Sequence, residues 1–221
     1  MSLLPTVEID APPQTPVNAS IIWLHGLGAD GHDFAAIVPQ LTLSKDYGIH
    51  FVFPHAPSIP VTINNGYVMP AWYDILGLDA DRHLDDVQLI ASADAVHRLI
   101  DREIERGIDS RRIVLAGFSQ GGAVVYHAAL TCAEPLGGVL ALSTYFATAG
   151  RIEINPANRD LPILACHGMG DPVIQENLGR QSVDTLRSLG FAPEYKTYPM
   201  EHAVSSLEIA DISAWLQQVL R

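Results

Sequence analysis

The stretch RRIVLAGFSQGGAVVYHAAL, residues 111–130, joins two hydrophobic patterns that cannot belong to one element. Ile113–Ala116 is a short continuous apolar run, the pattern of a strand buried on both faces. Ala123–Leu130 has the length and alanine content of a helix packed on its neighbours. Between them stands Ser119, with Gly117 and Gly121 two positions away on either side. A forced strand-to-helix turn requires small flanks, because two backbone segments must pass closely there. The chain must therefore hold at least one buried strand that reverses sharply into a covering helix.

The same alternation recurs along the sequence. SIIWLHG, IHFVFPHAP, GGVLALS and LPILACHG read as further apolar strands, and EYKTYP as an alternating one. GHDFAAIVPQL, DDVQLIASADAVHRLIDREIERG, ENLGRQSVDTLRSLG and VSSLEIADISAWLQQVL read as helices. In the longest of these, Val87, Ile90, Ala93, His97, Ile100 and Ile104 are expected near one face, with Gly107 as the stop. Repeated alternation with continuous apolar strands predicts an α/β protein: a mainly parallel central sheet with helices on both faces. Ligand sites in such sheets lie at the carboxyl ends of the strands. No repeat or linker divides the chain, so a single domain over 1–221 is expected.

Composition narrows the function classes. Of 221 residues, 48% are hydrophobic and 17% charged, an ordinary globular balance. A formal net charge of -12 argues against nucleic acid and anionic membrane surfaces as partners. No apolar run is long enough to span a bilayer, so no stable membrane insertion is expected. The start MSLLPTVE lacks the basic and apolar regions of a signal peptide, and a cytoplasmic location is expected. Cys132 and Cys166 lie in apolar surroundings without metal or C-x-x-C spacing and are read as buried free thiols.

Segment 58–84, SIPVTINNGYVMPAWYDILGLDADRHL, breaks the rhythm. Its length and lack of period predict a functional loop, and Tyr67, Val68, Met69, Trp72, Tyr73, Ile75 and Leu76 are too apolar for a solvated linker. It is read as a loop packed over the site. Met69, Trp72, Tyr73 and Leu76, with Val173 from a later turn, are the candidate substrate contacts.

A serine in G-x-S-x-G is a candidate nucleophile, and it needs a base and an acid that orients the base. Three histidines follow it. His127 lies in the helix after the turn and points away; His167 closes a buried strand in a crowded position. His202 follows EYKTYPM on a loop at a strand's carboxyl end, and is the candidate base by elimination and placement. Asp171 starts the turn GDPVI at the same sheet edge; Asp160 stands at the wrong end of its strand, and Asp184 within a helix. Asp171 is therefore the candidate acid, against the plainer role of capping its own turn. Backbone N–H groups of Gln120 and, from the glycine-rich HGLGADG, Leu27 are the candidate oxyanion donors. HGLGADG lacks the spacing and lysine of a phosphate loop. His25, His32, Asp30 and Asp33 make no standard metal-ligand spacing. No cofactor and no metal are expected.

With these residues in place, the chain resembles the carboxylesterase and acyl-protein thioesterase (phospholipase/carboxylesterase) family of α/β-hydrolases. The resemblance runs over nearly the whole chain and rests on WLHGLGADGHDF, FPHAP, MPAWYDI, GFSQGGA, HGMGDPVI, YPMEHAVS and EIADISAWL. It implies an α/β-hydrolase fold without a large cap domain, a Ser119, Asp171 and His202 triad, and oxyanion N–H groups from Leu27 and Gln120. This chain departs from the pattern at Met169 and Gly170 before Asp171, and at Glu201 before His202. The implied function is a serine hydrolase cleaving carboxylic esters, and thioesters, of short to medium acyl chains. The substrate is then a small ester or acyl-thioester, or an acylated protein, taken by a monomer or homodimer. Acyl-protein thioesterase or lysophospholipase as the main role is the nearer alternative. A non-catalytic ligand-binding scaffold is the alternative from another class; a serine peptidase of this fold usually carries a larger cap than 221 residues leave room for.

Overall fold

A computed structural model describes residues 3–10, 15–44, 47–77 and 83–221. In chain order these form β1 (Thr6–Ile9), β2 (Ala19–Leu24), α1 (Gly31–Ala35), β3 (Ile49–Pro54), β4 (Ser58–Val61) and β5 (Tyr67–Pro70). Then follow α2 (Asp86–Glu105), β6 (Ile113–Phe118), α3 (Gln120–Thr131), β7 (Gly138–Leu142) and β8 (Ile163–Gly168). The chain finishes with α4 (Glu176–Ser188), β9 (Glu194–Tyr198) and α5 (Ser206–Val219). Seven strands make one sheet in the order β1-β3-β2-β6-β7-β8-β9, and β4 and β5 pair separately. Every neighbour pair in the large sheet is parallel except β1 with β3.

The central strands are apolar on both faces because both faces are covered. Ile22, Leu24, Leu115, Val139, Ala141 and Ile163 face α2, α3 and α4, where they meet Leu89, Val96, Leu99, Val124 and Val183. The alternate residues Ile21, Trp23, Val114, Ala116, Leu140 and Leu164 face α1 and α5, against Phe34, Ile212, Trp215 and Leu216. Thus a period of two governs which face each residue joins, although nearly every position is apolar.

Three local readings change. The helix expected over GHDFAAIVPQL is only the short α1; a separate 3-10 turn at Val38–Gln40 follows it, with Pro39 in its first positions. In α2 the buried residues are Leu89, Ser92, Ala93, Ala95, Val96, Leu99, Ile100 and Glu103, whereas Val87 and Ile90 are exposed. Two stripes of this helix carry apolar residues, and only packing against α3 selects between them. Segment 58–84 is not a plain loop, because β4 and β5 form an antiparallel hairpin within it. Its far side is tied down by Thr62, whose N–H and Oγ1 both donate to the Asp74 carboxylate at 2.7 and 2.6 Å. Residues 78–82 of that segment lie outside the described residues.

The last helix starts with a reciprocal cap. Ser205 Oγ accepts the Glu208 N–H, and the Glu208 carboxyl accepts the Ser205 N–H, both at 3.3 Å. Glu208 is fully buried and its Oε1 has no hydrogen-bond partner among the described residues. Burial, with Asp211 adding to it, pushes its pKa up to about 8 against the opposing Ser205 N–H. The folded protein therefore holds this proton more tightly than the unfolded chain does. The stability so gained is fully present below the ordinary value of 4.5 and is lost as pH rises through about 8. Glu208→Gln, which keeps the cap without a charge, should gain on wild type by about 3 °C or more in melting temperature as pH goes from about 5 to about 9. Melting curves followed by circular dichroism check this; a constant gap at both pH values would mean a carboxyl already ionised in the fold.

Candidate active site

The turn after β6 holds Ser119 at φ 54° and ψ -119°, a left-handed conformation that strains a residue with a side chain by about 1–3 kcal/mol. Neighbouring strands hold it there. The Ser119 N–H donates to the Leu142 carbonyl at 2.9 Å, and the Ser119 carbonyl accepts Thr144 Oγ1–H at 2.6 Å. The two glycines of the motif have the role expected of them. A Cβ on Gly117 would lie 2.5 Å from the Gly121 oxygen, and one on Gly121 would lie 2.6 Å from the His25 oxygen.

That second contact brings the HGLGADG loop against the turn, and the loop is rigidly held. His25 donates Nδ1–H to the Gly26 carbonyl at 2.7 Å and accepts the Ala56 N–H on Nε2 at 3.1 Å, which assigns its neutral tautomer. Burial keeps its pKa below the ordinary imidazole range. The Gly28 N–H is committed to the Pro70 carbonyl at 2.9 Å, with Gly28 at φ 78°. Gln120 opens α3, so its N–H is one of the first-turn donors that a helix cannot satisfy internally. Its side chain bonds the Trp72 N–H at 2.9 Å and the Tyr73 carbonyl at 2.7 Å, locking the MPAWYDI segment to the turn.

The turn after β8 carries Asp171, 5% exposed. Its Oδ1 accepts the N–H groups of Val173 and Ile174 at 2.8 and 2.9 Å, while its Oδ2 accepts His202 Nδ1–H at 2.7 Å. The plain turn-capping role and the pairing role are thus filled by different oxygens of one carboxylate. The His202 ring stands 4.6 Å from the ring of Phe118, the residue before Ser119. Gly168 lets the His202 loop pass, since a Cβ there would lie 2.3 Å from the Glu201 oxygen. Glu201 itself is exposed.

Ser119 opens on a cleft of about 210 Å³, with walls from Leu27, Ile63, Tyr73, Ile75, Tyr145 and Ile174, and Val173 at its edge. Tyr73 and Tyr145 share a hydrogen bond of 3.0 Å between their hydroxyls. Of the residues expected to contact substrate, Tyr73 and Val173 line this cleft. Trp72 does not: it is 1% exposed, donates Nε1–H to the His25 carbonyl at 2.9 Å, and faces a different cleft beside α2. Leu76 points to solvent, half exposed, because the main-chain alternation after Tyr73 turns Ile75 inward instead. Met69 sits behind the HGLGADG loop, near Gly28, rather than on the cleft wall. Ile63, Tyr145 and Ile174 escaped the sequence reading. Tyr145 could have been found, since it closely follows a buried strand at the sheet's carboxyl edge.

The two set-aside histidines are accounted for. His127, on α3, pairs with Thr148 Oγ1 at 3.0 Å, and His167 is buried in β8. Among the described residues no group of three or more His, Cys, Asp or Glu is placed to hold a metal, and no helix is long and apolar enough to cross a membrane.

A seven-stranded, mostly parallel sheet with a strained serine turn at its centre, and no cap domain among the described residues, defines an α/β-hydrolase. The chain matches the Phospholipase/Carboxylesterase family over residues 6–220 and belongs to that family of hydrolases. The acyl-protein thioesterase 1 of Gibberella zeae is 39% identical over 214 residues, covering 92% of this chain and 91% of that one. The acyl-protein thioesterase 1 of Neurospora crassa is 38% identical over 214 residues, covering 92% and 87%. The crystal structure of Zea mays acyl-protein thioesterase 2 superposes with a TM-score of 0.86 at 29% identity, covering 98% of this chain and 99% of that one.

The crossing at Gly121 can be tested by stability alone. Gly121→Ala should lower unfolding free energy by about 1–3 kcal/mol through overpacking. Gly150→Ala, where a Cβ meets nothing within 4 Å, should be close to neutral. Urea midpoints compared between the two variants measure the difference.

Proposed function

We propose that the protein is a serine acyl hydrolase in which Ser119, His202 and Asp171 form the triad, acting on esters and thioesters of short to medium acyl chains. The observation that carries this reading is the 2.7 Å bond from His202 Nδ1–H to Asp171 Oδ2, beside a strained serine that opens on an apolar cleft. With Nδ1 carrying the proton, Nε2 is left as the acceptor for the Ser119 proton. Ser119 Oγ attacks the acyl carbonyl as its proton passes to His202, and the oxygen of the tetrahedral intermediate is met by the N–H groups of Leu27 and Gln120. His202 then returns the proton to the departing alkoxide or thiolate, leaving the acyl group on Ser119. Water attacks that acyl-enzyme by the same route, with His202 again taking and returning a proton. Asp171 stays ionised and stabilises the imidazolium formed at each step.

Cleft size supports the chain-length range. A space of about 210 Å³ holds roughly seven groups of water size, at about 30 Å³ each, and a methylene is similar in bulk. A p-nitrophenyl ester series from acetyl to palmitoyl should peak near hexanoyl to octanoyl and fall beyond it. Tyr145→Ala, by removing a ring from the cleft lining, should move that peak to longer chains. An unchanged profile would separate the cleft from the acyl site.

A thioester-linked acyl group on a protein is the second reading, supported by the activity named for the Gibberella zeae and Zea mays relatives. Comparing kcat/KM for matched ester and thioester substrates, free and peptide-linked, decides between the two.

The mechanism itself is tested by substitution. Ser119→Ala should lower kcat by about 10⁵–10⁶-fold and abolish fluorophosphonate labelling; Asp171→Asn should cost about 10⁴-fold by disturbing the tautomer. Wild-type protein that neither turns over ester nor labels would leave the ligand-binding scaffold as the better reading.

A further inference from the structure

His167 has no part in the mechanism above, yet it is 1% exposed and surrounded by the groups that mechanism needs. It is the next-to-last residue of β8, four residues before Asp171. Its Nε2 lies 2.8 Å from the Ile174 carbonyl and 3.6 Å from Asp171 Oδ2. A carbonyl only accepts, so Nε2 carries the proton and donates it to Ile174. Burial, the dominant influence, holds the imidazole pKa below its ordinary range against the pull of the Ile174 carbonyl, Asp171 and Glu176, with His202 pushing the same way as burial. On its other side the Nδ1 edge of the ring packs against α4, where a Cβ on Gly179 would come within 2.3 Å of Nδ1.

These contacts string hydrogen bonds along both sides of the 171–174 turn. Asp171 Oδ1 takes the N–H groups of Val173 and Ile174, and the Ile174 carbonyl takes the proton of His167. The carboxylate cannot rotate unless this turn moves, and the turn cannot move while His167 holds its far end. The same turn supplies Pro172, Val173 and Ile174 to the cleft.

We infer that His167 is a positioning residue: by holding the Ile174 carbonyl it fixes the 171–174 turn, and so sets together the Asp171 oxygen aimed at His202 and the wall that measures the acyl chain. The inference rests on the triad reading. An apolar side chain could fill this strand end but would leave the Ile174 carbonyl buried and unpaired, so packing alone does not account for an imidazole here.

The test is ester kinetics per active site titrated by fluorophosphonate, on acetyl and octanoyl p-nitrophenyl esters, with Ser119→Ala as blank. His167→Leu removes the donor, His167→Gln returns an N–H near the place of Nε2, and Gly179→Ala displaces the ring without altering it. Expected are a fall in kcat of about 10–100-fold for His167→Leu and Gly179→Ala, as a displaced catalytic group produces, with an octanoyl-to-acetyl ratio changed about 3-fold or more. His167→Gln should recover most of both. A residue that only packs would change the number of titratable sites and leave kcat per site and the chain-length ratio at wild-type values; that result overturns the inference. So does His167→Gln performing no better than His167→Leu. Should His167→Leu not fold, Gly179→Ala with wild-type kinetics overturns it equally. Wild-type protein that fails to label, or Ser119→Ala that still turns over, breaks the triad reading and this inference with it. A dead Ser119→Ala beside unaffected His167 and Gly179 variants breaks this inference alone.

Discussion

The site depends on one crossing of two backbones, where α3 begins against the end of β2. Gly121 packs on the His25 carbonyl so tightly that not even a methyl group fits. This closeness does two things at once. It brings the N–H end of α3 and the HGLGADG loop to the same point in space, and it forces Ser119 into its left-handed turn. The strain at Ser119 is borne by bonds from Leu142 and Thr144, which belong to β7 and the segment after it. Those bonds exist only because β6 lies in the middle of a parallel sheet, between β2 and β7. The sheet therefore does more than support the turn: its register supplies the groups that make the turn tolerable.

Much of this was legible in the chain. Apolar strands between helices identified the parallel sheet, and Gly117 and Gly121 announced a close approach. The positions of Asp171 and His202 after successive strands put them on one edge. What could not be read depends on partners distant in sequence. β1 is a four-residue antiparallel edge strand, with no local signal beyond two apolar residues. The hairpin of β4 and β5 is specified by pairing and by the Thr62–Asp74 anchor, neither of which has a period. In α2, either of two apolar stripes could have been buried; α3 decided it. The same holds at the cleft, where Ile63, in the hairpin's turn, is brought in by donating its N–H to the Ile75 carbonyl of the segment after β5.

Trp72 illustrates how an apolar residue near a site can be misread. Its size and its place in MPAWYDI suggested a substrate wall. Instead its indole N–H, its main-chain N–H and its carbonyl are all bonded, to His25, Gln120 and Ser92. A buried tryptophan with every polar group satisfied is a brace. It ties the HGLGADG loop to α3 and α2, and thereby holds the two oxyanion candidates at a fixed separation. The neighbouring Tyr73 keeps its ring toward the cleft.

The geometry also joins two properties that are usually discussed apart, the rate of acyl transfer and the choice of acyl chain. One turn, 171–174, presents a carboxylate to His202 on one side and Val173 and Ile174 to the cleft on the other. Both its N–H groups and its far carbonyl are engaged, so the turn has one arrangement rather than several. A change that shifts the main chain of this turn moves the wall and the carboxylate together, because the carboxylate is held by the Val173 and Ile174 N–H groups, whereas Tyr145 lies on a separate segment. On the proposed reading, chain length can therefore change without loss of rate from the Ile63, Tyr73, Ile75 and Tyr145 side, where the wall and the proposed acid are carried by different parts of the chain.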